Sequence, residues 1–217
     1  IDDLQKTENN TKLNGYRYFL SLLKDLCQGY IVHSIDDLII HLINNKNHLS
    51  FQINTSGTTS SPKLVEIKMS NCIRYVKTKD NNKSIWGMGY PVGSFASTQV
   101  FFQSLINKET IVYLFGTDFK SADKLFSKNK ITNLSCTPTF LSMLLINLKE
   151  ANNSVKKITT GGEKMNTNLI HYFKKIFICA DYINIYASTE TGSLLYSTSE
   201  FFSIPEKYKS QIKIEQG

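Results

Sequence analysis

The stretch TSGTTSSPK, Thr55 to Lys63, gathers the hydroxyls of Thr55, Ser56, Thr58, Thr59, Ser60 and Ser61 and the ammonium of Lys63 around Gly57. Hydroxyls, backbone amides and ammonium groups all donate hydrogen bonds, so a loop of this kind is equipped to surround a ligand rich in anionic oxygens. A phosphate chain is the obvious one. The stretch is not a Walker loop: Pro62 stands where the glycine before the lysine belongs, and Leu64 where a Ser or Thr would hold magnesium. The same composition also suits a plain polar hairpin between two strands.

Two further stretches combine small residues with groups able to meet a ligand: TTGGEKM, Thr159 to Met165, and YASTETG, Tyr186 to Gly192. What positions all three is an alternation of short apolar runs with helical periods. Runs at Phe51 to Ile53, Ile85 to Met88, Thr110 to Phe115, Ile131 to Ser135 and Tyr182 to Tyr186 read as strands. The intervening periods read as helices carrying Ala122, Leu125 and Phe126, then Leu141, Leu144, Leu145 and Leu148 behind the Thr137–Pro138 start, then Leu169, Ile170 and Phe173. Two amphipathic helices precede them. Tyr16, Phe19, Leu20, Leu23 and Leu26 share one face, Ile35, Leu38, Ile39 and Leu42 another, and Ser34 with Asp37 forms a capping box. The expected fold class is therefore α/β, with layered sheets and flanking helices, and ligands in the loops that leave the carboxyl ends of the strands.

The 217 residues, 41% apolar and 20% charged, are ordinary for a globular chain and exclude disordered and fibrous classes. No apolar run approaches the ~20 residues of a membrane span, and the start IDDLQKTENN lacks the regions of a signal peptide, which together point to a cytoplasmic protein. Cys27, Cys72, Cys136 and Cys179 are too far apart for a zinc motif and read as core thiols, while His33, His41, His48 and His171 lack metal-ligand spacing. The net charge of +7 suits an anionic ligand, but the lysines are scattered, without the basic run or aromatic platform of a nucleic-acid binder.

Taken in order, the three loops resemble those of the adenylate-forming superfamily, which contains acyl-CoA synthetases, nonribosomal-peptide adenylation domains and firefly luciferase. TSGTTSSPK matches that family's TSGTTGxPK loop except at Ser60; TTGGEKM is similar to its GGE segment; YASTETG is similar to its Y-G-x-T-E motif, with Ala187 replacing glycine. YPVGSF, Tyr90 to Phe95, and the helix start at Thr137 also fall where the family carries its acyl-pocket segment and a T-x-x-x-x-P-T element. The resemblance spans about two thirds of the chain, from Leu49 to Gly192.

It implies activation of a carboxylic acid by ATP and a magnesium ion (Mg2+) as an acyl adenylate, then transfer to a thiol, either coenzyme A (CoA) or the phosphopantetheine of an acyl or peptidyl carrier protein. It further implies that Thr55, Ser56, Gly57, Thr58, Thr59 and Lys63 wrap the terminal phosphates, that Thr189 bonds the α-phosphate and that Glu190 holds the metal. Tyr186 would pack on adenine beside Gly161, Gly162, Glu163, Ala187 and Ser188, and Trp86, Tyr90, Ser94, Phe95 and Gly161 would line the acid's pocket. The expected division is a helical segment at 1–48, an adenylation core at 49–200 and the start of a β subdomain at 201–217, where QIKIEQG reads as a strand. Neither the family's TGD aspartate nor its C-terminal lysine signature has a counterpart, so a C-terminal domain is expected from elsewhere, in cis or in trans. With Ser60 and Ala187, that absence leaves open an alternative: a non-catalytic nucleotide-binding or interaction module. Ala96, where amino-acid-activating domains have aspartate, points to an acyl or aryl acid without an α-amino group.

Overall fold

The computed structural model describes residues 15–55, 63–78, 83–148, 150–189, 192–206 and 209. The chain begins with two helices, α1 over residues 15–26 and α2, Ile35–Asn44. The Ser34 hydroxyl accepts from the Asp37 amide and the Asp37 carboxylate accepts from the His33 amide, so the capping box expected from the sequence opens α2. On α2, Leu38, Ile39 and Leu42 are buried while Ile35 is half exposed; on α1 the buried stripe is Phe19, Leu22 and Leu26. Leu22 is an addition to the expected stripe, and Tyr16 and Leu20, expected in it, stand out toward solvent.

Strands β1, Ser50–Thr55, and β2, Lys63–Lys68, pair antiparallel from Ser50 opposite Lys68 to Thr55 opposite Lys63. Burial alternates along β1, with Phe51 and Ile53 inside, as a half-buried strand requires. A short helix α3, Met69–Cys72, follows.

The remaining chain builds a six-stranded sheet. Its strands are β3 (Ile85–Gly89), β4 (Thr110–Tyr113), β5 (Asn133–Cys136), β6 (Lys157–Gly161), β7 (Asp181–Ser188) and β8 (Gly192–Ser197). The order is β4-β3-β5-β6-β7-β8; all neighbours are parallel except β7 and β8, which form an antiparallel hairpin with a register shift at Tyr186/Ala187. Helices α4 (Phe95–Ile106), α5 (Ala122–Asn129), α6 (Pro138–Asn147) and α7 (Thr167–Ile176) make the crossovers. The α/β class is as expected. Helix α4 and strands β6 and β8 go beyond the sequence reading, because the polar and glycine-containing stretches at Ser94 to Ser104 and Thr159 to Gly161 look like loop. The strand expected at 211–217 lies outside the described residues.

Two cores sandwich the sheet. On one face Leu134, Cys136, Ile158 and Tyr182 pack against Phe126, Leu141, Leu144, Leu145, Phe173 and Phe177 from α5, α6 and the end of α7. On the other, Trp86 and Met88 of β3 meet Val100 and Phe102 of α4, Phe19, Leu22 and Leu26 of α1, Leu42 of α2, and Phe51 and Ile53 of the hairpin. Each of these large side chains contributes about 1.5 to 3 kcal/mol by leaving water. The second core stops at β3: none of its residues comes from β5, β6 or β7, and that uncovered part of the face is where the site lies.

Cys72 and Cys136 are buried thiols, as expected, but Cys179 is exposed. Among the described residues no helix is long and apolar enough to cross a membrane.

Candidate functional site

A cleft of about 530 Å3 opens over the uncovered face of β5, β6 and β7, walled on one side by the start of α4. It brings together Trp86, Tyr90, Ser94, Phe95 and Gly161, the residues expected to form an acid pocket, with Gly162, Ala187 and Thr189. A second cavity of about 380 Å3 adjoins it and is fronted by Gly162, Glu163, Tyr186, Ala187 and Phe202. Gly162, Ile185 and Ala187 belong to both walls, so the two spaces meet at the carboxyl ends of β6 and β7. That is where an open parallel sheet offers its ligand crevice.

The individual roles differ from those expected in several places. The Tyr90 hydroxyl donates to the Cys136 carbonyl at 2.8 Å, and burial pushes its phenol well above the ordinary range; its O–H is spent within the wall. Trp86 likewise spends its indole N–H on Glu109 at 2.7 Å. The hydroxyl of Ser94 accepts from the Ser97 amide at 3.2 Å and so caps α4. Phe95, 8% exposed, supplies apolar surface at the mouth of that helix. These residues thus frame the cleft more than they functionalise it.

The two glycines of the GGE segment have different reasons. A Cβ at Gly161 would lie 2.9 Å from the Ile185 carbonyl oxygen, so glycine there serves the close packing of β6 on β7. Gly162 turns at φ +85° with open space around its Cα, which leaves room for a ligand against the backbone. Glu163 is tied into the scaffold: its carboxylate accepts from the Thr139 amide at 3.0 Å and from the Thr139 hydroxyl, bracing the GGE turn on the first turn of α6. Tyr186 is 54% exposed, with its ring 5.9 Å from that of Phe202, and presents a free aromatic face to the second cavity.

Thr55 and Lys63 are paired across the β1–β2 hairpin, where the Thr55 hydroxyl donates to the Lys63 carbonyl at 3.2 Å. Neither fronts either cavity, whereas Thr189 fronts the larger one. Ser188 lies at the end of β7 without fronting either space. Ser56, Gly57, Thr58 and Thr59, and Glu190, lie outside the described residues.

Residues that the sequence reading missed fill much of the cleft floor and far wall. Ser135, Lys157 and Thr159 rise from β5 and β6, and the Thr159 hydroxyl donates to that of Ser135 at 2.7 Å. Gln99 of α4 donates to the Ser193 hydroxyl at 3.2 Å, closing the far wall beside Tyr196, whose phenol burial pushes up to about 12. The signal was present in the polar residues of β5 and β6, since central strands of a parallel sheet covered on both faces are near-continuously apolar.

A family model described as AMP-binding enzyme matches residues 19–213. A plipastatin synthase component from Bacillus subtilis (strain 168) is 27% identical over 152 residues, which are 65% of this chain and 6% of that protein. Bacitracin synthase 3 of Bacillus licheniformis is 27% identical over 163 residues, 70% of this chain and 2% of that one. Among solved structures, o-succinylbenzoate coenzyme A synthetase from Bacillus subtilis, in complex with ATP and magnesium ion, superposes with a TM-score of 0.58 at 18% identity, over 74% of this chain and 33% of its own. The luciferase-like enzyme of the nonluminescent mealworm Zophobas morio gives 0.56 at 20% identity, over 74% and 38%. The chain therefore spans about a third of the length of these solved structures and a small part of the synthetases. The fold likeness, and a family match that covers most of the chain, place this protein in the AMP-binding enzyme family.

Proposed function

We propose that this chain is the nucleotide-binding part of an enzyme that activates a carboxylic acid with ATP, forming an acyl adenylate for transfer to a thiol such as CoA or a carrier-protein phosphopantetheine. The observation that carries this reading is the meeting of two cavities at Gly162 and Ala187. One is long and mostly apolar with a polar floor, the other is fronted by an exposed aromatic ring. An acid in the first and a nucleotide in the second would bring carboxylate and α-phosphate together at that junction, as proximity catalysis requires. The open backbone at Gly162 and the free face of Tyr186 fit a purine nucleotide there.

The carboxylate attacks the α-phosphorus, the bond to the bridging oxygen breaks and pyrophosphate leaves. In this scheme Thr189, at the mouth of the cleft, bonds the α-phosphate, while Lys63 and the hydroxyl loop before it take the departing phosphates. Magnesium, held by Glu190, would supply positive charge to the phosphoryl oxygens. The cleft's aromatic and aliphatic walls (Trp86, Phe95, Val100, Ile183) favour an acyl or aryl acid. A C-terminal domain completing the site, in cis or in trans, belongs to the same proposal.

The test is ATP–pyrophosphate exchange across a panel of acids, run on this chain alone, on its full reading frame, and with a C-terminal domain added in trans. Acid-dependent exchange in either completed form, much weaker in the chain alone, is expected. Nucleotide binding without exchange in any form would replace this reading with that of a non-catalytic module, and no nucleotide binding by folded protein would reject both.

A further inference from the structure

Helix α4 separates the cleft from a third space. On one side of the helix Gln99 and Gln103 front the cleft; on the other Phe101 and Leu105 front a mostly apolar cavity of about 430 Å3, bounded by α1, α2, β3 and β4. Strand β3 is divided in the same way, Trp86 fronting the cleft and Met88 the cavity. The two linings meet at a hydrogen bond. The indole N–H of Trp86 donates at 2.7 Å to the carboxylate of Glu109, which fronts the cavity, and the other oxygen of that carboxylate accepts from the Ser84 amide at 3.3 Å. A charge-assisted bond at one end and 6% exposure of the residue as a whole hold the ring in one place. The sheet register fixes how deep it lies. Trp86 is paired with Asn133 and Asn133 with Lys157, so Trp86 stands level with Lys157, four residues and ~13 Å along β6 from Gly161 at the junction of the cavities.

We propose that Trp86, pinned by Glu109, is the stop that ends the acid's chain in the cleft, so that the acid is an unbranched acyl chain of medium length. The inference deepens the acid-activating reading above and rests on it. With its carboxylate at the junction, the chain runs along β6 and meets the indole after ~13 Å. A longer chain is turned back although apolar room lies just beyond, on the far side of the Trp86–Glu109 bond. Glu109 is a positioning residue: it holds the indole and fronts only the cavity behind. Freed of that carboxylate, the ring could rotate and the limit on length would soften.

The experiment measures equilibrium binding to the full chain, by calorimetry, of hexanoic, octanoic, decanoic, dodecanoic and tetradecanoic acids. In the parent, affinity should rise roughly fourfold per added methylene up to octanoic or decanoic acid and fall roughly tenfold beyond it, where the chain is forced against a packed ring. Trp86→Ala should carry the maximum to dodecanoic or tetradecanoic acid, and adding Leu105→Trp, which fills the cavity behind, should bring it back. Trp86→Phe shortens the ring and removes its N–H; it should move the maximum the same way by a smaller step, and it decides if Trp86→Ala does not fold. Glu109→Ala should weaken discrimination against the longer acids, while Glu109→Gln, whose amide oxygen still accepts, should keep the parent profile. A purely structural tryptophan would lower all affinities together and leave the maximum in place. That result, no acid binding at all, or a parent profile still rising at tetradecanoic acid overturns the stop. Pyrophosphate exchange separates the two proposals. A length limit set by Trp86 with no exchange in any completed form sustains the stop and removes acid activation. Exchange whose preference for length ignores Trp86 removes the stop and leaves activation standing.

Discussion

Replacing Glu163 by alanine tests whether the GGE turn is braced by α6 or merely passes it. The four leading positions of that helix are accounted for: Pro138 has no N–H, the Thr139 amide goes to Glu163, the Phe140 amide to the Thr137 hydroxyl, and the Leu141 amide to the Thr137 carbonyl. Glu163→Ala therefore removes one charged acceptor and leaves one orphan amide, which water can reach because the pair is exposed. A hydrogen bond to a charged group contributes about 1.5 to 3 kcal/mol, and a carboxylate at a helix N-terminus adds ~0.3 to 1. Solvent access reduces the total, so we expect a loss of ~1 to 2 kcal/mol, with Glu163→Gln losing less. For a chain of this size each kcal/mol shifts Tm by about 2 to 4 °C, giving a drop of ~2 to 8 °C in a calorimetric melt. Thr139→Val removes only the hydroxyl bond, and combined with Glu163→Ala it should be less than additive, since both cut the same contact. A Glu163→Ala melt within about 1 °C of the parent, or full additivity with Thr139→Val, would refute the brace.

Three further outcomes are expected. Ser94→Ala removes the cap of α4 and should cost ~1 kcal/mol in denaturant unfolding, the typical loss for such a cap. Burial holds the Tyr182 phenol up at about 12, above its unfolded value near 10, so its contribution is complete below pH ~10 and is lost as pH rises through ~12; Tyr182→Phe should lessen the fall of unfolding free energy across that window by ~1 to 2 kcal/mol without removing it, because the Tyr196 phenol is held up in the same way. Tyr186→Ala, at a half-exposed position, should change stability by no more than about 0.5 kcal/mol while weakening nucleotide binding several-fold in calorimetry.

The elements most legible in the sequence are those whose burial is decided by local periodicity. The α6 start at Thr137–Pro138 and the alternating strand at Phe51 and Ile53 can be read directly, because cap chemistry and side-chain period are written in consecutive residues. Strand β6 is hidden because Lys157, Thr159 and Thr160 look like loop residues until β5 and β7 are known to flank them. Ser94, expected as a pocket residue, caps a helix, a role that depends on a turn three residues long and not on the pocket it borders. At the cleft itself two of the motifs, GGE and YASTETG, supply residues that front the two cavities. The polar floor, however, comes from residues on separate strands that only the sheet register makes neighbours. Burial of Asn133 follows from tertiary packing, which no local pattern reports.

The shared wall at Gly162, Ile185 and Ala187 has a consequence for anyone redesigning this protein. Side chains at Gln103 and Ile183 front the large cleft only, so on the proposed function varying them should retune which acid is accepted without disturbing the other compartment. Any change at Ile185 or Ala187 alters two compartments at once. Directed evolution would therefore find single-step freedom at Gln103 and Ile183, but at the hairpin only paired mutations that repair in one compartment what they gained in the other.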